Sequence, residues 1–157
     1  MSRMYGDPDE LDRLAVRLRQ RAAEVREQAA DHQRRGQAAR WVSVSAQAYR
    51  DQVGRDRARA DRIADELDAV ADATVAHAQE VRETIALIAR IEEQVTDWFA
   101  GAVERLKDLA PLVGGPLLKA AVEAPWAHWP VQPGNLPAPG DRRWLEIGDF
   151  MRGRGVL

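Results

Sequence analysis

Trp41-Val42-Ser43-Val44-Ser45-Ala46-Gln47-Ala48-Tyr49 separates two runs of apolar residues that recur with heptad spacing, and the separation decides the fold. Upstream lie Leu11, Leu14, Leu18, Ala22, Val25 and Ala29, and downstream a far longer series keeps the same spacing. Two helical stripes on either side of a short, bulky, partly polar bend are expected to fold against each other as an antiparallel helical hairpin.

The first helix has a complete start signal. Asp7 can accept from the orphan amides as N-cap, Pro8 falls where its missing amide costs nothing, and Glu10 follows three residues after the cap as in a capping box. The helix is expected from Pro8 to about Arg40, with fraying at Gly36. Leu11, Leu18, Val25 and His32 form one line, with Leu14, Ala15, Ala22 and Ala29 beside it. Val16, Ala23 and Ala30 widen the stripe beyond what one antiparallel neighbour covers.

The second helix reads as a sustained seven-residue repeat: Ala46, Val53, Ala60, Leu67, Thr74, Val81, Ile88, Val95, Ala102 and Leu109. Tyr49, Asp56, Ile63, Val70, His77, Thr84, Ile91 and Trp98 give the expected second core line, with Ile85 and Leu106 near it. At 1.5 Å per residue this helix would reach roughly 100 Å against roughly 50 Å for the first, so it overshoots its partner. Thr74, His77 and Thr84 weaken the lines where the overshoot begins, which suggests a bend or a change of partner. His77 reads as a packed or half-exposed histidine, because no second His or carboxylate converges on it to make a metal site or pH switch. The apolar half from 81 to 109, with Trp98 and Phe99, needs a cover: the tail, a second copy or another protein.

Pro111, Gly114, Gly115 and Pro116 end the long helix, so the chain divides into a hairpin over 1–110, turning near 41–45, and a tail over 111–157. Residues 116–124 can form a short helix. Pro125, Pro130, Pro133, Pro137 and Pro139 make the next stretch extended, and Asp141 then caps a last short helix. Trp126, Trp129 and Trp144 are expected to dock on the long helix, against Ile88, Ile91, Val95 or Trp98, the alternative being a recognition segment for another protein.

Composition excludes several classes. Cysteine is absent, which removes disulfides and thiolate metal sites. A net charge of −2 offers no field for a phosphate backbone, so no nucleic-acid partner is expected. The N-terminal stretch has no apolar segment like that of a general secretory signal, and the charge-free apolar run 109–118 is too short to span a bilayer. His32, His77 and His128 lack metal-ligand spacing and no phosphate-binding glycine loop is present, so no catalytic, cofactor or metal residue is assigned and the chain is not expected to be an enzyme. The carboxylates Asp65, Glu66, Asp68, Glu92 and Glu93 read as solvated faces and ion-pair partners of Arg62 or Arg90. Lys107 and Lys119 are the only lysines among 23 basic residues, an Arg-rich and Ala-rich balance typical of high-GC coding of the actinobacterial kind.

Trp41-Val42-Ser43, then Ala46-x-Ala48-Tyr49, the flanking helices and the segment from Gln94 to Ala100 together resemble the WXG-motif small proteins of type VII secretion, notably the early secreted antigenic target group. The resemblance covers residues 5–100. It implies an antiparallel hairpin that pairs with a second hairpin of the same type, as a hetero- or homodimer, into a four-helix bundle. It also implies export by a non-Sec route, or a cytoplasmic role as partner or chaperone of an exported protein, with Trp41 and the turn read by a secretion ATPase. Two departures stand out. Ser43 replaces the motif's Gly, and no Tyr-x-x-x-Asp/Glu export signal follows the second helix. Tyr5-Gly-Asp-Pro-Asp9 matches those letters but precedes the first helix.

The hairpin-turn motif is thus Trp41, Ser43, Ala46 and Tyr49, and the expected partner interface is Leu11, Leu14, Leu18, Val25, Val53, Ile63, Leu67 and Val70. The leading expectation is a type VII substrate or co-secreted partner acting by helix–helix recognition. The alternatives are a self-associating structural coiled coil, and a membrane-active effector in which residues 103–126 enter a lipid interface.

Overall fold

The computed structural model describes residues 6–38, 40, 42–109, 126 and 128–157. All regular secondary structure among them is helical, in three helices: α1 over Pro8–Ala38, α2 over Val44–Leu109 and α3 over Arg143–Gly153. Trp41 of the turn motif, the proline and glycine residues 111–116 and the expected short helix at 116–124 lie outside the described residues. By compactness the chain divides within α2, into Arg3–Arg82 and Glu83–Leu157.

In the first unit α1 begins where Asp7 turns its side chain back on the helix. Asp7 Oδ1 accepts the Asp9 amide at 2.9 Å, and the Asp7 carbonyl accepts those of Glu10 and Leu11 at 3.0 and 3.3 Å. α1 passes through Gly36 without fraying, because Gly36 is buried against α2. α2 starts on Ser43, whose hydroxyl accepts the Ala46 amide at 3.0 Å while its carbonyl accepts that of Gln47 at 3.1 Å. As residue numbers rise along α1 from Asp12 through Arg19 and Arg26 to Gly36, their contacts on α2 fall from Arg82 through Asp72 and Asp68 to Val53. The two helices therefore run antiparallel.

Small residues form the seam. Ala15, Ala22 and Gly36 on α1 and Ala46, Val53, Ala64, Ala71, Ala78 and Val81 on α2 are buried, with Leu11, Leu18, Val25 and Leu67 half-buried around them. A small side chain at every seventh position lets two helices pack closely, since axis separation follows the side chains at the contact. The first expected line of α2 lies on this seam. The second is displaced by one residue: Ala64, Ala71 and Ala78 are buried in place of Ile63, Val70 and His77, which are exposed. Alanine fits the narrow gap, and the neighbouring larger side chains are turned outward.

The second unit has its own core, built on Ile88, Ile91, Val95, Phe99 and Ala102 of α2. Trp126, Val131, Trp144, Ile147 and Met151 complete it. Trp98 stacks on Trp129 with ring centroids 5.3 Å apart and meets Trp126 edge-on at 6.0 Å. The buried Trp144 places its indole N–H on the Ala138 carbonyl at 3.0 Å, which satisfies the one polar atom of that ring. Gly140, at φ +76°, donates its amide to Glu92 Oε2 at 3.2 Å and so ties the loop before α3 to α2. Asp141 then accepts the Arg143 amide at 2.9 Å and pairs with the Arg143 guanidinium at 3.0 Å. That guanidinium, and next the amide, hold the Asp141 carboxyl below the usual carboxylate range.

Candidate helix-pairing surface

The two flanks of the α1–α2 seam differ chemically. On one flank Arg26 reaches Asp65 at 2.6 Å and Asp68 at 2.8 Å, Arg19 reaches Asp72 at 2.6 Å, and Arg82 reaches Asp12 at 2.6 Å and Asp9 at 2.8 Å. Hydrogen bonds to Asp65 and Asp68 raise the Arg26 pKa above its already high ordinary value, and those to Asp12 and Asp9 do the same for Arg82. The acids of 65 and 68 are thus engaged across the seam by Arg26, and not along their own helix by Arg62. These pairs bridge the two helices along that flank.

The other flank carries exposed apolar side chains. Tyr49, Ile63 and Val70 recur at multiples of seven along α2, so they share one helix face, and they are 40, 45 and 53% exposed. Leu14 of α1, on the corresponding side of its helix, is 39% exposed. Between the helices on this flank lies an open groove of about 290 Å³, floored by Val25, Ala29 and Ala60 and rimmed by Gln28, His32, Asp56 and Arg57. Two of its lining residues, Ala29 and Ala60, have side chains of a single methyl group. The ion-paired flank also carries apolar surface, from Val16 and Val75, but there the ion pairs bracket it.

The expected interface residues therefore separate into two groups. Val53 is buried within the unit, and Leu11, Leu18, Val25 and Leu67 are half-buried in its seam, whereas Leu14, Ile63 and Val70 remain accessible. At the bend Ala46 is buried, Tyr49 lies over Gly36, and Val42 and Val44 are almost wholly exposed. No non-glycine residue among those described has a positive φ, so Ser43 needs none of the conformational freedom of the glycine it replaces. The open groove, the Arg26 cross-links and the capping role of Ser43 were not read from the sequence. For Ser43 the signal was there, a hydroxyl residue immediately before a helix.

In the second unit Ile88, Ile91, Val95, Trp126 and Trp144 are buried, and Trp98 and Trp129 half-buried, in the one cluster. Arg154 lies over the rings of Trp129 and Phe150 at 5.5 and 4.8 Å. His77 is exposed, 3.5 Å from Glu80. Among the described residues no group of His, Asp or Glu could hold a metal ion, and no helix is long and apolar enough to cross a membrane. Comparison with protein-family models, curated proteins and solved structures finds no match.

Proposed function

We propose that this protein is a helix–helix recognition module of the type VII secretion kind, a secretion substrate or co-secreted partner whose α1–α2 hairpin pairs with a second hairpin into a four-helix bundle. The observation that carries the reading is the asymmetry of the seam. One flank is bridged by Arg–Asp pairs, and the other presents Leu14, Tyr49, Ile63 and Val70 beside the groove. Exposed apolar side chains at heptad spacing are what a further helix needs for knobs-into-holes packing. A second hairpin supplies two such helices at once.

The WXG-like bend gives the pairing its biological setting. Ser43 caps α2 through its hydroxyl in a backbone conformation that needs no glycine, so its place in the motif is compatible with a helix starting there. A partner that carries Tyr-x-x-x-Asp/Glu would supply the export signal this chain lacks after its second helix. The protein is then exported by a non-Sec route with that partner, or stays in the cytoplasm as its chaperone, and it acts without catalysis.

Co-expression with the product of the neighbouring open reading frame, followed by sizing and an export assay, tests this. A stoichiometric complex whose export depends on the Tyr-x-x-x-Asp/Glu chain is expected. A homodimer formed alone and indifferent to the neighbour would instead favour a structural coiled coil with no secretion role.

A further inference from the structure

We draw no further inference here: the strongest candidate, the groove of Val25, Ala29 and Ala60 beside the exposed Ile63 and Val70 on one flank of the α1–α2 pair, belongs to the surface already proposed for pairing, and nothing in the structure shows what occupies it.

Discussion

A Cβ placed on Gly148 would stand 2.7 Å from Ile91 Cδ1 and 3.1 Å from two further atoms of the same side chain. Carbon atoms settle at about 3.5–4.0 Å, so α3 reaches α2 at this point only because residue 148 has no side chain. Helix propensity favours Gly148→Ala by roughly 1 kcal/mol, but overpacking against a buried isoleucine costs about 1–3 kcal/mol. The clash should win. Denaturant unfolding followed by tryptophan fluorescence is expected to show destabilisation by Gly148→Ala, more by Gly148→Val, and relief when Ile91→Val removes Cδ1. A neutral Gly148→Val would show that α3 does not lie at this distance.

Gly36 and Gly54 make an internal comparison in the first unit. A Cβ on Gly36 meets the two Val53 methyls at 3.1 and 3.2 Å, whereas one on Gly54 meets nothing within 4 Å. Both lie inside helices. Gly54→Ala should therefore stabilise by about 0.4–1 kcal/mol, while Gly36→Ala should give no gain or a loss, and in the double variant with Val53→Ala it should offset part of the loss that truncating the buried valine causes. Thermal melts of these variants and of Val53→Ala alone decide this, and equal stabilisation by the two single glycine changes would contradict the close approach at Gly36.

Ser43 holds the first turn of α2 through its hydroxyl. Ser43→Ala should cost about 1 kcal/mol, whereas Ser43→Gly, which restores the motif's own residue, should cost only a few tenths. A reversed order in melting temperature would mean that backbone freedom, and not the cap, is what this position requires.

The Asp141 carboxyl is held low by the Arg143 guanidinium and amide. A carboxyl whose folded pKa is depressed contributes stability above its unfolded pKa and loses it as pH falls through the folded value. Acid titration of the Trp144 environment should therefore show a loss on the acid side of the ordinary carboxylate range. Asp141→Asn should be less stable at neutral pH and flatter through that window. An unchanged acid limb in the variant would remove Asp141 from the account.

The start of α1 was legible because Asp7 and Pro8 act locally, and so was the all-α class, because heptad spacing persists through Val53, Leu67, Val81, Ile88 and Val95. The phase of the second line on α2 was not. Ile63 and Ala64, Val70 and Ala71, and His77 and Ala78 are adjacent pairs, and hydrophobicity alone ranks the larger side chain inward. Close antiparallel packing prefers the smaller, a property of the gap between two helices that neither stripe carries alone. The same limit hid Arg26, whose partners Asp65 and Asp68 are distant in sequence, and Gly148, whose role exists only opposite Ile91. Of the three tryptophans expected against the far half of the long helix, Trp126 and Trp129 meet Trp98, and Trp144 is buried in the same unit.

The pairing claim turns on Ile63 and Val70, which are exposed in the single chain and so can be changed without opening its seam. Light scattering of the full chain, alone and with its gene neighbour's product, should be run on wild type and on the Ile63→Glu, Val70→Glu double variant with matched thermal melts. A discrete complex in the wild type, lost in a variant that melts as before, is the predicted result, because two carboxylates would be buried unpaired at the new interface. A wild-type chain that stays a folded monomer at high concentration under both conditions would contradict the pairing and the secretion role built on it.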